Sequence, residues 1–444
     1  MSAIGAVQDP GVSSSPKLTL RGATFLGIGA MVGAGNFALL GQAGVYAGAA
    51  VRLSFLLAGL MSAALGYTMV KFGVRYPSSG GLIVYLREGY RSRRVVGAAA
   101  WLGYLTAIVV VGAMVAVSFG DYAADLFVNA DPGGPWSKVF GALLVVLATW
   151  MTIAGPRAVD RIQSLIVVAL LAVFVVLILG TVGGLHAHLL APSGYPPAGD
   201  IISSVALTFF AFLGFAVISF AAGDLARPEH DLPRAMYLAL GATTALYVAV
   251  ALCVFGTLTV DKVIHYGPTA IAEAARPSLG EAGFLMMAIA ALLATASSVT
   301  ATLYASVGLT DALAEFRYFP PVFGPTSRIG RHGGLLITAG LTLLFVTVLS
   351  LGALASVGSA VSLAVFTLVA VAAFRMRGEL GASTSMVIAA IGVSVVVLVA
   401  FTIDLFINDR RSFWVMIALV GLALIVDEIW ARHVESSHPA QPPA

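Results

Sequence analysis

Residues 27–48 read GIGAMVGAGNFALLGQAGVYAG, and their interpretation decides the rest of the chain. The stretch is apolar enough for a bilayer, yet glycines stand at positions 27, 29, 33, 35, 41, 44 and 48. Each glycine inside a helix costs about 1 kcal/mol relative to alanine. Hydrocarbon also penalises every backbone group left without an internal hydrogen bond. The densest part, Val32-Gly33-Ala34-Gly35-Asn36, therefore reads as a helix interrupted in mid-membrane. Such an interruption persists only where protein or a wet cavity surrounds it, and its freed N–H and C=O groups can then hold a ligand. The competing interpretation is a small-residue seam of the G-x-x-x-G kind on which another helix packs.

Outward from this stretch, the chain has the make-up of an integral membrane protein. Of its 444 residues 59% are hydrophobic and 10% charged, with a mean hydropathy of +0.98; a soluble domain carries about 25% charged residues. Twelve apolar segments of membrane-spanning length follow one another, at about 20–48, 51–73, 95–127, 137–154, 162–184, 201–223, 235–259, 281–312, 333–350, 353–374, 385–405 and 412–430. No stretch is long and polar enough for a soluble domain. Residues 1–16 and 432–444 read as cytoplasmic tails, the first disordered and not a cleavable signal.

Charge placement gives the orientation. Eighteen of the 24 Lys and Arg fall on the side of the termini, and six (Arg52, Lys138, Lys262, Arg276, Arg410 and Arg411) on the other. The positive-inside rule then puts both termini in the cytoplasm of a multi-pass protein of the cytoplasmic membrane. The net charge of +3 carries no message about nucleic acid, and no nucleic-acid partner is expected. Cys253 is the only cysteine, which excludes an intrachain disulfide and a thiolate metal cluster. His186, His188 and His265 lie in loops without metal-ligand spacing, and no metal site is expected. P-loop, nucleophile-elbow, HExxH and dinucleotide fingerprints are missing, so the chain is not read as an enzyme.

A second interrupted segment lies five segments after the first: LTFFAFLGFAVISFAAGDLARPEHDLPRAM from Leu207, with Gly214 between aromatics. An odd number of helices per repeat makes the second copy enter the membrane from the opposite side. Paired glycine-interrupted helices in two inverted halves point to a transporter's binding site. The expected repeats are 17–184 (segments 1–5) and 201–377 (segments 6–10), with 385–431 appended as segments 11 and 12.

Four stretches resemble the amino acid–polyamine–organocation superfamily, closest to bacterial permeases related to the cationic amino acid transporters. Gly29 to Phe37 matches the family's G-[SA]-x-[IV]-G-[STA]-G-[IV]-F pattern, with Asn36 at the penultimate position. RYPSSGGLIVYLREGYRSRRVVG from Arg75 matches its P-x-x-G-G-x-Y-x-Y region, with Ile83 replacing the first tyrosine. GPRAVDRIQSL from Gly155 resembles G-x-[KR]-x-x-x-R-x-[NQ], and FFAFLGF from Phe209, followed by the RPEHDLPR loop, resembles the family's sixth helix and its exit.

The resemblance implies an all-α, leucine-transporter-type fold of about twelve transmembrane helices: a 5+5 inverted repeat plus two C-terminal helices, with helices 1 and 6 discontinuous. It implies a substrate site between helices 1, 3, 6, 8 and 10. Backbone N–H groups of Gly33, Ala34 and Gly35 would hold the substrate carboxylate. Carbonyls of Val32, Phe210, Ala211 and Leu213, beside the breaks and Gly214, would hold its ammonium. Helix-end partial charges suit this division, since a half-helix N-terminus attracts an anion and a C-terminal end a cation. Phe212 or Phe215 is the candidate gate. Asn36 is either a substrate contact or a cap for freed backbone groups.

The implied function is secondary active transport of an amino acid or related amine by alternating access, with no cofactor beyond a coupling proton or sodium ion. The alternative is a membrane sensor or complex subunit of the same fold that binds without turnover. Departures from the family pattern bear on coupling. Leu170 stands where proton-coupled relatives often carry lysine, and Ser297 and Ser298 are the candidates for a sodium site. Proton symport or exchange is favoured over sodium. Ala216, where relatives often carry a carboxylate, tilts the substrate towards neutral. Arg52 is expected to snorkel towards headgroups, and Asp121 and Asp125 to lie at the outer end of the third helix as candidates for ion pairing or proton relay.

Overall fold

The structure, a computed structural model, describes residues 18–32, 35–77, 81–154, 159–325 and 332–437. Gly33 and Ala34, residues 1–17, the start of the 155–165 motif and the C-terminal 438–444 fall outside that range. Among the described residues every regular element is helical, and the only bridge is an isolated parallel one between Leu18 and Leu225. This is what hydrocarbon demands, because a helix satisfies its backbone within one segment.

The first span is α1a (Leu20–Val32) followed by α1b (Gly35–Ala47). Then come α2 (Val51–Arg75), α3 (Arg93–Val128, with a π turn at Leu105–Val110), α4 (Pro135–Ala154) and α5 (Val159–Thr181). The sixth span is α6a (Ala198–Phe210) and α6b (Phe215–Phe220), and α7 is Pro228–Thr257. The chain ends with α8 (Ala270–Glu315), α9 (Gly333–Val348), α10 (Leu351–Arg375), α11 (Thr384–Asn408) and α12 (Arg410–Ser437). Helix α12 runs past residue 432, where a tail was expected to begin.

Among the described residues nine helices are long and apolar enough to cross a membrane, and ten with the bent α6 pair. The twelve expected segments are recovered when the 41-residue Gly35–Arg75 run is divided at Gly48–Ala50 and the 16-residue α9 is included. The excess length of α8 has a local cause. Gly280, at φ 65°, kinks it, so the stretch before the kink is a separate helix joined end to end.

Helix α10 is central. Its sequence LGALASVGSAVSLAV is small and apolar all round, and 72% of its apolar window is buried, against 28% for α11 and 22% for α12. A helix without a polar face has neighbours or lipid on every side, and burial sorts these three into core and periphery. Small residues set other close crossings too. A Cβ on Gly141 of α4 would stand 2.7 Å from the Ala116 carbonyl oxygen of α3, so those helices meet backbone to backbone. The seam interpretation weighed for the first segment fits α3 and α4, and the first segment too packs closely through Gly27, Gly29, Gly41 and Gly44.

One end of the bundle carries Leu18, the end of α6b and the ends of α8 and α12. Here the Leu18 amide donates to the Asp224 carbonyl at 2.8 Å. The Arg317 carbonyl, just past α8, accepts from Arg93 Nη2 at 3.1 Å and from Trp430 Nε1 at 2.9 Å, tying α3, α8 and α12 together.

Candidate functional site

The first and sixth spans approach each other closely at Gly35 and Gly214. A Cβ built on Gly214 would lie 2.5 Å from the Ala30 carbonyl carbon and 2.6 Å from the Met31 nitrogen. One built on Gly35 would strike the Tyr247 hydroxyl and stand 2.8 Å from the Ala211 Cβ and 2.9 Å from the Ala211 carbonyl oxygen. Each span therefore sets a glycine against the backbone of the other, at a separation no side chain permits.

A single hydroxyl joins them. The buried Tyr247 on α7 donates to the Met31 carbonyl at 2.7 Å, and the same oxygen lies 3.3 Å from the Ala211 carbonyl. Its ring packs against Phe212 and Phe55, with centroids 5.2 Å and 5.1 Å away. Sequence reasoning misses Tyr247. The one signal for it is a lone phenol in the apolar run ALYVAVALC, because a buried tyrosine hydroxyl needs a partner.

The α6 interruption differs from the expected unwinding. Ala211 and Gly214 keep helical dihedrals, and the turn is tightened by i→i+3 bonds, with a bend of 41° between the halves. The Leu213 amide donates to the Phe210 carbonyl at 3.3 Å, and the Ala216 amide to the Leu213 carbonyl at 3.1 Å. Two carbonyls assigned to the ammonium are thus already engaged, although each oxygen keeps a second lone pair. The Ala211 carbonyl is engaged as well, by the Tyr247 hydroxyl at 3.3 Å. Gly33 and Ala34 lie outside the described residues.

Asn36, in the first turn of α1b, is fully buried, and neither its Oδ1 nor its Nδ2 has a hydrogen-bond partner. An amide buried without partners costs about 1–3 kcal/mol by mutational measures. It caps no backbone group, which removes one of the two roles left open for it. Its neighbour Phe37 is held by stacking on Phe174 at 5.1 Å and an edge contact with Tyr122 at 6.0 Å.

A cavity of about 420 Å³ opens at the bundle end opposite Leu18. Gln42 and Tyr46 of α1b, Asp200 and Leu207 of α6a, Ser356 of α10 and Asp404 of α11 are among its lining residues. Leu207 is one turn before Phe210, and the Phe210 ring lies against Gly358, where a Cβ would stand 2.8 Å from its Cε2. Phe210 therefore packs one turn beyond the cavity-lining Leu207, against α10. The expected gate rings, Phe212 and Phe215, are fully buried, with Phe212 against Tyr247 and Phe215 against Phe366 at 5.1 Å.

The remaining candidates are distributed. Ser297 and Ser298 are half-buried and hydrogen-bond to none of the described residues, whereas Thr295 and Thr300 donate to their own i−4 carbonyls. Leu170 is buried in the apolar core. Arg52 does not snorkel: its Nη2 donates to the Leu190 carbonyl at 2.8 Å and to the Tyr195 hydroxyl, clasping the loop between α5 and α6. Asp121 is 1% exposed, and its Oδ1 accepts from the Gly133 amide at 2.7 Å, holding the turn before α4. Neither Asp121 nor Asp125 forms an ion pair with Arg52. Among the described residues no group of three or more His, Cys, Asp or Glu could hold a metal ion.

The family model described as "Amino acid permease" matches residues 18–426, a span that includes both breaks and Tyr247. The chain belongs to the amino acid permease family. It is 32% identical to the inner membrane transport protein YbaT of Escherichia coli K12 over 95% of this chain and 98% of that protein. It is 27% identical to the methylthioribose transporter of Bacillus subtilis 168, over 84% of this chain and 83% of that one. It is 25% identical to the serine/threonine exchanger SteT of the same organism, over 68% and 69%. The protein is thus an all-α, multi-span membrane transporter of the permease family, not an enzyme.

Proposed function

We propose that this permease is a secondary active transporter that moves an amino acid across the cytoplasmic membrane by alternating access, with both termini in the cytoplasm. The observation that carries the proposal is the crossing of α1 and α6, Gly35 against Ala211 and Gly214 against Ala30–Met31. Two helix interruptions brought together in mid-membrane offer what a zwitterion requires. The N-terminus of α1b presents backbone N–H groups at Gly35 and beyond, with partial positive charge for a carboxylate. The C-terminal ends of α1a and α6a present carbonyls at Val32 and Ala211 for an ammonium. Gly33 and Ala34 complete the carboxylate cradle in this proposal.

The halves 17–184 and 201–377 are the inverted repeats, and each contributes one interrupted span. The acidic cavity above Phe210 is the outer vestibule, and the Phe210 ring against Gly358 is the outer gate. Coupling to protons or exchange is favoured over sodium. Thr295 and Thr300 direct their hydroxyls at carbonyls of their own helix, a packing role common for such residues in membrane helices.

Uptake by proteoliposomes containing the purified full chain tests this. Saturable amino acid uptake is expected, with Gly35→Leu reducing it more than tenfold while the protein stays monodisperse. Undiminished transport in that variant would overturn the site assignment. Binding without flux in the unaltered protein would identify a sensor instead.

A further inference from the structure

We propose that Asn36 reads the substrate's side chain, and that the substrate is a neutral amino acid whose side chain both donates and accepts hydrogen bonds, a hydroxyl or a carboxamide. The inference rests on the substrate site proposed above and names the chemistry it selects. Asn36 stands between Gly35, which faces Tyr247 and Ala211, and Phe37, which faces Tyr122 and Phe174. Successive helix residues project about 100° apart, so its amide lies between those two directions, beside the N-terminal end of α1b. It is completely enclosed, and both polar atoms lack partners.

An asparagine amide offers donors on Nδ2 and an acceptor on Oδ1. A carboxylate would satisfy only the donors, and an ammonium only the acceptor. A hydroxyl or carboxamide satisfies both, and so relieves the whole desolvation of the enclosed amide. The surroundings disfavour a charged side chain independently. The five spans α1, α3, α6, α8 and α10 contain no Asp, Glu, Lys, Arg or His within residues 22–47, 95–120, 201–223, 282–310 and 351–374. A charged substrate side chain would therefore be buried without a counter-ion.

The test measures binding of near-isosteric pairs, threonine with valine and asparagine with leucine, to the full chain in lipid nanodiscs. Threonine or asparagine should exceed its apolar partner by about tenfold or more, because the apolar ligand leaves the amide unpaired. Asn36→Val should level the pair. Asn36→Ser, smaller and still polar, should keep only part of the preference and guards against a misfolded valine variant. A preference for threonine identifies the hydroxyl, and one for asparagine the carboxamide. Equal binding within both pairs by the unaltered protein, or a preference undiminished in both variants, would overturn the role of Asn36 alone. Failure of the unaltered protein to bind any of the four would overturn the proposed substrate site with it.

Discussion

The Tyr247 hydroxyl donates to the Met31 carbonyl at 2.7 Å, and this one bond ties the end of α1a to a helix outside both breaks. Because the oxygen also lies 3.3 Å from the Ala211 carbonyl, α7 bridges the end of α1a and the α6 turn. Tyr247→Phe keeps the ring contacts and removes only the hydroxyl. It should lower stability by about 1–3 kcal/mol, the cost of unsatisfied buried carbonyls, and reduce uptake more than tenfold. A thermal melt combined with proteoliposome transport checks this, and an unaffected transport rate would show that the bond is only structural.

Gly214→Ala should be far more harmful than its size suggests. Its new Cβ would meet backbone atoms of Ala30 and Met31 at 2.5–2.7 Å, and backbone cannot swing aside. Gly241→Ala is the control, since a Cβ there meets nothing within 4 Å. It should be neutral or stabilising by about 1 kcal/mol through helix propensity. Equal melting temperatures for the two variants would refute the tight crossing.

Phe210 and Phe212 should separate by phenotype. Phe212→Ala empties an enclosed site against Tyr247 and should cost about 3–5 kcal/mol of stability. Phe210→Ala uncovers the cavity floor above Gly358 and should accelerate release of preloaded substrate with a smaller loss of stability. Efflux and melting measured on both variants decide whether Phe210 is the gate.

Asp121→Ala should weaken the fold without changing the pH profile of transport. Its Oδ1 holds the Gly133 amide, and losing such a cap costs about 1–2 kcal/mol. A shifted pH profile would instead return Asp121 to a proton-relay role.

Uptake should persist when sodium is replaced by choline, and Ser297→Ala and Ser298→Ala should each retain it. Sodium-stimulated uptake abolished by either substitution would reverse the coupling proposal.

Much of this architecture is legible in the residues because membranes leave few options. Apolar length marks the spans, and glycine density marks where the first and sixth spans approach most closely. What the sequence does not disclose depends on contacts between distant segments. Arg52 looks like a headgroup anchor, yet it finds Leu190 and Tyr195 in a loop far along the chain, at separations of 138 and 143 positions. Tyr247 is one phenol in an apolar helix until its two carbonyl neighbours become visible. At α6 the glycine suggests unwound backbone, whereas i→i+3 bonds absorb the interruption with helical dihedrals retained. Phe210, unlike Phe212 and Phe215, packs its ring on Gly358 of α10, a contact no local pattern announces.

The Leu18 bridge to Leu225 acquires a meaning beside the Tyr247 bond. The first joins the start of α1a to the chain just past α6b, and the second joins the far end of α1a to the start of the α6 turn. Two attachment points fix a line. Helix α1a is therefore anchored at both ends, its start to Asp224 beyond α6b and its end to Tyr247 of α7, so neither end hangs free of the bundle.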